Sequence, residues 1–168
     1  MKTYFKIFLF CFSTLLLIGC DRATKDMAKE QLRDKQPLTY FHDTVRLEYV
    51  ENTGAAMSLG DGLSKRMSFW LLSILPLLFL LILSVYVVKK FNRMSHGTLF
   101  FCSLLLAGGL GNILDRIQFD RHVTDFMNLG FRNFRTGIFN FADVYVTVGV
   151  IGFFFLFRKV TLSSSGNQ

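Results

Sequence analysis

The sequence predicts an integral membrane protein that is mainly α-helical, with four transmembrane helices and a small β-rich outer loop between the first two. Of its 168 residues, 51% are hydrophobic and only 18% are charged, a composition too apolar for an ordinary soluble domain. The apolar residues fall into four blocks, and the basic residues are concentrated in alternate segments between them. These observations exclude a disordered or fibrous chain.

The apolar blocks are long enough, or nearly so, to cross a bilayer. The second is the clearest, because Met67 to Val88 contains 22 residues without a charge, about 30 Å of helix. The first block, Ile7 to Cys20, follows two lysines, a pattern shared by signal peptides and first transmembrane helices. The predicted spans are about 5–20, 67–88, 97–114 and 138–157, in a single domain 1–160 followed by a polar tail 161–168.

The net charge of +7 is unevenly distributed along the chain, and this distribution predicts the membrane topology. The N-terminus, the loop 89–96 and the segment after residue 157 carry the basic excess, whereas 21–66 and 115–137 are nearly neutral. The positive-inside rule therefore places both termini in the cytoplasm and the nearly neutral segments on the outer side. No basic stripe interleaved with aromatic residues is present, so no nucleic-acid partner is expected.

The outer segment between the first two spans divides into two parts. Asp21 to Lys35 looks helical and continues the first span. Leu38 to Ser58 contains alternating stretches, such as Thr44 to Val50, that are typical of strands and end at the turn-forming Asn52-Thr53-Gly54. A small antiparallel sheet that rests on the membrane surface is therefore predicted at about residues 36–62.

Cysteine and histidine residues give no sign of a metal or disulfide site. Cys11, Cys20 and Cys102 lie in or at the ends of apolar blocks, so a disulfide framework is not expected. The three histidines are scattered singly, and the chain has no HExxH motif or CxxC pair. We therefore expect no metal and no cofactor.

A charged side chain inside a span is costly in a bilayer, so it is a functional candidate by default. Asp143 lies five residues into the last predicted span, and Asn140, three residues earlier, shares its helix face. The alternative is that both residues cap a helix that begins later than predicted.

The end of the third span carries a second group of polar residues. The glycines within Gly108 to Gly111 allow close helix approach, and Asn112, Asp115 and Arg116 follow at three- and four-residue spacing. Asp115 and Arg116 are explained equally well as functional residues or as an ordinary interfacial ion pair.

Asp125 and Asp143 form a candidate pair of carboxylates on the outer side. They are 18 residues apart, a connection short enough to bring them together. Two carboxylates near a low-dielectric boundary do not both ionise easily, so one keeps a proton while the other stays basic. An aspartyl hydrolase fits, because no GxSxG elbow is present and Ser64 and Lys65 are direct neighbours. A proton or cation pathway explains the same pair.

Five short motifs occur in order along the chain. They are Asp21-Arg22-Ala23-Thr24-Lys25, Asn52 to Ala56, Gly108 to Arg116, Val123 to Phe126, and Phe139 to Asp143. Together they resemble the motif set of the bacterial lipoprotein signal peptidases, the signal peptidase II family, over about Cys20 to Gly149. Thr124 and Met57 depart from the residues usual in the family, without changing a charge.

The resemblance implies an aspartic endopeptidase of the bacterial cytoplasmic (inner) membrane, with its active site on the extracytoplasmic side. Such an enzyme removes signal peptides from prolipoproteins by cleaving before the diacylglyceryl-modified cysteine, in contact with membrane lipids. The resemblance further implies a monomer without cofactor, whose outer sheet corresponds to the family's membrane-resting cradle. By motif, Asp125 and Asp143 are the catalytic pair. The supporting positions, which order the site and the substrate backbone, are Asp21, Lys25, Asn52, Gly54, Asn112, Arg116 and Asn140.

Two other interpretations stay open. Leu17-Ile18-Gly19-Cys20 follows a basic start and an apolar run, like a lipobox, so the chain would itself be a lipoprotein precursor cut before Cys20. Such a cut would remove the first span and leave Asp21 as the N-terminus, whereas the first motif is anchored to a helix. A small proton-conducting or scaffold protein is the other interpretation, and it leaves the polar motifs outside the spans unexplained.

Overall fold

The computed structural model describes residues 2–54, 62–131 and 134–165, with side chains from Thr3 to Leu156 within these ranges. It is mainly helical and includes a small antiparallel sheet, as predicted. Within these ranges three helical segments are long and apolar enough to cross a membrane, and a fourth helix has a shorter apolar stretch. These are Thr3–Leu32, Lys65–Arg93, His96–Gln118 and the shorter Phe141–Leu156.

The first helix, α1 (Lys2–Leu32), is continuous and extends well beyond the predicted first span. Its 31 residues correspond to about 46 Å, against about 30 Å of hydrocarbon. The predicted helical continuation after Asp21 is thus confirmed as far as Leu32. The C-terminal half of α1 carries Asp21 and Lys25, two of the predicted site residues.

The second apolar helix contains a π-helical turn that the sequence did not predict. Helix α2 (Lys65–Phe69) passes through the π-helical residues Trp70–Ile74 into α3 (Leu75–Lys90). Pro76 accounts for this irregularity, because its ring has no N–H to donate and crowds the preceding turn.

Helix α4 (His96–Gln118) is the centre of the helical bundle, with eleven buried residues against three in α3. It continues four residues beyond the predicted span and so carries Asp115 and Arg116. A side chain at Gly108 would collide with the carbonyl oxygen of Ala142, in the first turn of the last helix. The predicted close helix approach at these glycines is therefore confirmed.

The last helix, α5 (Phe141–Ser165), begins three residues later than predicted, so the expectation that Asp143 lies five residues inside a span is wrong. The backbone N–H of Asp143 donates to Asn140 Oδ1 at 3.0 Å, and the backbone N–H of Asn140 donates to Asp143 Oδ2 at 3.1 Å. This reciprocal cap starts the helix. The capping alternative is therefore correct, and Asp143 lies in the first turn.

The sheet has the order β1-β2-β3-β4, with all neighbours antiparallel. The prediction of a sheet from the loop 36–62 alone was incomplete, because half of the strands come from the segment between α4 and α5. Residues 55–61 of that loop lie outside the described residues. The strands are β1 (Leu38–Tyr40), β2 (Val45–Asn52), β3 (Val123–Phe131) and β4 (Phe134–Arg135).

One face of the sheet packs against the outer part of α1. Ala28 and Leu32 of the helix form a buried cluster with Phe126, and Leu47 and Tyr49 pack against it. A separate cluster between α3 and α4 holds the helices together. The sheet is therefore anchored to α1 by one face only, and its other face borders a polar groove that includes Asp125.

Candidate active site

The two predicted catalytic aspartates are joined by a single residue, Asn140. Asp125 lies on β3 and Asp143 in the first turn of α5. The side-chain amide of Asn140 donates to Asp125 Oδ1 at 2.6 Å, while its backbone N–H donates to Asp143 Oδ2. The cap that starts α5 therefore also brings the two carboxylates to one place.

Asn52 contacts the other oxygen of Asp125. The backbone N–H of Gly54 donates to Asn52 Oδ1 at 2.8 Å, so the side-chain amide nitrogen must point the other way. That nitrogen donates to Asp125 Oδ2 at 2.8 Å. The turn that ends β2 thereby sets the orientation of a donor at the site.

Asn112 presents a side-chain N–H donor to Asp143, as Asn52 does to Asp125. Its Nδ2 donates to Asp143 Oδ1 at 2.8 Å, and its Oδ1 accepts from Lys25 Nζ at 3.1 Å and from Asn140 Nδ2 at 3.2 Å. Because an ammonium group can only donate, Lys25 determines which end of the amide faces Asp143. Both oxygens of each aspartate therefore accept from N–H groups whose orientation is set elsewhere.

Burial makes the carboxyl group of Asp125 hold its proton more readily than an ordinary aspartate does. Asp125 is 2% exposed, and this burial raises its pKa to about 7, with a further contribution from the negative charge of Asp143. The hydrogen bonds from Asn52 and Asn140 oppose the rise in pKa without cancelling it. Below about pH 7, Asp125 therefore keeps its proton.

A buried ion cluster lies beside the two aspartates. Lys25 Nζ is 2.8 Å from Asp21 Oδ2 and 3.0 Å from Asp115 Oδ2, and all three side chains are 1% to 2% exposed. Arg22 contacts the second oxygen of Asp115 at 3.0 Å. Asp21 Oδ1 also accepts from the backbone N–H of Ala142 at 2.9 Å, which ties α1 to the start of α5.

Asp115 is the residue that the sequence analysis undervalued. The suggested ion pair with Arg116 is not formed; Asp115 contacts Lys25 and Arg22 of α1 and accepts from the backbone N–H of Thr124 at 3.4 Å. Its spacing from Asn112 was visible in the sequence. Its partners on α1, about 90 residues away in the sequence, were not.

Arg116 connects the outer loop to α4. Its Nη2 donates to the carbonyl oxygen of Gly54 at 2.8 Å and its Nη1 to that of Asn112 at 3.4 Å. All the predicted site residues thus belong to one connected set of contacts, although their roles stay a prediction. The set consists of Asp125, Asp143, Asp21, Lys25, Asn52, Gly54, Asn112, Arg116 and Asn140.

Each aspartate lines a different groove. Asp143 lines a cavity of about 310 Å³ between helices, whose apolar walls include Leu72, Pro76 and Val146. Asp125 lines a cavity of about 470 Å³ on the sheet, whose other lining residues are mostly polar. The two carboxylates therefore lie between an apolar surface and a polar one.

Candidate metal ligands do not cluster in the described part of the chain. No group of three or more histidine, cysteine, aspartate and glutamate residues there has an arrangement that could hold a metal ion. Independence from metals stays a prediction.

The chain is similar to known lipoprotein signal peptidases. The family model described as Signal peptidase (SPase) II matches residues 13–158. The lipoprotein signal peptidase of Borreliella burgdorferi (strain ZS7) is 34% identical over 171 residues, covering 95% of each chain. That of Borrelia duttonii (strain Ly) is 35% identical, covering 82% of each chain. That of Streptococcus agalactiae serotype Ia is 33% identical, covering 82% of this chain and 84% of the relative.

Two solved structures have a similar fold. Both are described as a bacterial membrane enzyme structure obtained by the in meso method. The first, at 2.3 Å resolution, has a TM-score of 0.78 at 25% identity and covers 95% of this chain and 92% of its own. The second, at 1.9 Å resolution, has a TM-score of 0.73 at 25% identity, with coverages of 89% and 92%.

Proposed function

The chain belongs to the signal peptidase (SPase) II family of proteases that process lipoproteins, and from this premise we propose that it is an aspartic endopeptidase. Its substrates are prolipoproteins, and the bond it cleaves lies before the diacylglyceryl-modified cysteine. The observation that carries the aspartic mechanism is the contact of Asn140 with both Asp125 and Asp143.

The proposed reaction uses the two aspartates in different protonation states. Asp143 accepts hydrogen bonds from two N–H groups. It removes a proton from water as the water oxygen attacks the scissile carbonyl carbon. Asp125 gives its proton to the carbonyl oxygen. When the tetrahedral intermediate collapses, the proton on Asp143 passes to the amide nitrogen of the cysteine, the C–N bond breaks, and the carbonyl oxygen returns its proton to Asp125.

The supporting side chains hold this arrangement without reacting. Asn52, Asn112 and Asn140 each present an amide nitrogen to a catalytic carboxylate. Lys25 and Arg116 fix two of the segments from which these asparagines come. Such preorganisation leaves little to rearrange when charge moves during the reaction.

The proposed location is the bacterial cytoplasmic membrane, with four transmembrane helices and both termini in the cytoplasm. Large apolar side chains are exposed on the outer faces of the helices, among them Phe8, Phe12, Leu81 and Ile82, as expected for a surface in contact with lipid. Because Asp143 lies in the first turn of α5, the reaction takes place at the extracytoplasmic edge of the bilayer, where the sheet rests on the surface. The proposed active form is a monomer that needs no cofactor.

Purified full-length protein in detergent provides the test. Incubation with a diacylglyceryl-modified prolipoprotein is expected to give a mass loss equal to that of the signal peptide, with cysteine as the new N-terminal residue. The same prolipoprotein without the diacylglyceryl group is the control and is expected to stay intact. Absence of cleavage in the modified sample, or cleavage at another bond, would contradict the proposed function.

A further inference from the structure

The groove on the sheet begins at Asp125 and extends away from the helices. It is lined on one side by Arg46, Glu48, Val50 and Asn52 of β2, and on the other by residues of β3 and the segment around β4. Val50 is the partner of Asp125 in the register of β2 and β3. The residues of β2 before Val50 therefore lead outward from the candidate dyad.

Glu48 lies where the pairing of β2 and β3 is irregular. The register shifts between Leu47 and Val50, as at a β-bulge, which redirects the side chain of the extra residue. Glu48 borders the groove on the same face as Arg46 and Val50 and is half-buried. Along a strand, Glu48 is two residues from Val50, about 7 Å beyond the level of Asp125.

The charged side chains of the groove differ in whether they form ion pairs. Arg46 Nε lies 2.5 Å from Asp43 Oδ1, and Arg135 Nη1 lies 3.3 Å from Asp43 Oδ2. The hydrogen bond from Arg46 holds the pKa of the Asp43 carboxyl below its usual value. Within the described part of the chain, Glu48 makes neither a hydrogen bond nor an ion pair. The negative charge of Glu48 acts on Arg46, whose pKa is raised mainly by the hydrogen bond to Asp43 and in part by Glu48, but without a direct ion pair, so the Glu48 carboxylate oxygens are left for a ligand.

The two grooves suit the two halves of the proposed substrate. The apolar cavity at Asp143 lies between helices. Its apolar walls suit the hydrophobic segment of a signal peptide. The polar groove at Asp125 is open on the sheet, outside the helices, where a mature polypeptide leaves the membrane. A substrate whose scissile carbonyl lies between the aspartates passes from the first groove into the second.

We propose that the groove on the sheet binds the first residues after the scissile bond as an extended segment, and that Glu48 selects a basic side chain among the second to fourth of them. This inference rests on the proposed function. An extended chain advances about 3.3 Å per residue, so the residue two places beyond the cut reaches the level of Glu48. Lysine or arginine there forms an ion pair with the free carboxylate.

Cleavage of a peptide series by the full-length protein tests the proposal. Diacylglyceryl-modified peptides that differ only by lysine, alanine or glutamate at positions two to four after the cut are compared by kcat/KM. The wild type is expected to prefer lysine over glutamate by at least about threefold, the effect of one partly exposed ion pair. Glu48→Gln is expected to abolish the preference, and Glu48→Lys to reverse it.

Glu51→Gln is the matched control, because Glu51 is on the same strand but does not line the groove; its carboxylate accepts from Tyr49. It is expected to keep the lysine preference. Equal cleavage of the three peptides by the wild type, or a preference for glutamate due to Arg46 and Arg135, would overturn the role of Glu48 while the proposed function stands. No cleavage of any peptide would contradict the proposed function, and this inference with it.

Discussion

Lys25 Nζ lies 3.1 Å from Asn112 Oδ1, although 87 residues separate the two in the sequence. Because of this contact, the amide nitrogen of Asn112 faces Asp143. The positive charge of Lys25 on α1 thus helps to determine that the Asp143 carboxylate meets an N–H donor, and not a carbonyl oxygen, on α4.

The two aspartates are expected to act as a unit. Asp125→Asn and Asp143→Asn keep the size of the side chain and remove its titration, so each is expected to lower kcat by at least about 10³-fold, with little further loss in the double variant. Cleavage of a diacylglyceryl-modified prolipoprotein is the measurement. Asp34→Asn, at an exposed position, is the control. Activity in both dyad variants would contradict the aspartic mechanism.

The reaction is expected to slow in alkaline solution. Asp125, with its pKa raised to about 7, is protonated below that pH and loses the proton above it, so kcat/KM falls as the pH rises through about 7. A profile from about pH 5 to about pH 9 shows this limb if Asp125 is the acid. A rate that is constant or rises across pH 7 would show that the protonated form of Asp125 is not required.

Removal of the Lys25 charge is expected to destabilise the protein. Lys25→Met leaves the buried carboxylates of Asp21 and Asp115 without their shared cation, a change that costs about 3 to 5 kcal/mol. It also removes one of the two hydrogen bonds that Asn112 Oδ1 accepts, so the folded fraction is expected to be less active. Thermal unfolding in detergent measures the first effect, with the exposed Lys35→Met as control. Equal Tm values for wild type and Lys25→Met would show that the cluster does not stabilise the fold.

The contact between α4 and α5 is expected to tolerate no side chain at Gly108. A methyl group there would meet the carbonyl oxygen of Ala142, so Gly108→Ala is expected to lower the stability by about 1 to 3 kcal/mol. Gly97→Ala is a suitable control, because its nearest neighbour would be the Ser95 Oγ at 3.8 Å. Unfolding of both variants in the same detergent makes the comparison, and similar Tm values would argue against tight packing at Gly108.

The lipobox-like segment is expected to remain uncut. Leu17 to Cys20 lies within the continuous helix α1, and Asp21, the next residue, is hydrogen-bonded to the start of α5. Intact mass spectrometry is expected to show residues 1–19 retained, and Cys20→Ala is expected to keep cleaving substrate. A diacylglyceryl group on an N-terminal Cys20 would favour the precursor interpretation.

The helices were predictable because their signal is local. Uninterrupted apolar stretches such as Met67 to Val88 carry enough information by themselves. The start of α5 was misplaced because Ile138 and Phe139 are as apolar as a span but lie in an extended segment, where Phe139 pairs with Met127. Hydropathy does not distinguish an apolar strand from the end of an apolar helix.

The candidate site was predictable in its members but not in its contacts. Asp143 was identified from the free-energy cost of a charged side chain in a bilayer, and the family resemblance pointed to both Asp143 and Asp125. The strand that carries Asp125 was missed, because Phe126 and its neighbour Met127 both donate to the carbonyl oxygen of Phe139 and break the alternation of a regular strand. The role of Asp115 depends on partners in α1, a relationship that spacing along the chain does not contain.

The contact between Asp21 and the backbone N–H of Ala142 joins residues 121 positions apart, and this has a consequence for biosynthesis. When α1 enters the bilayer, the segment whose backbone N–H later donates to the Asp21 carboxylate has not been translated. The site is therefore assembled only after α5 has inserted, since Asn140 and Asp143 arrive with it. A nascent chain that stalls before this point lacks Asn140 and Asp143, and we therefore expect it to have no proteolytic activity.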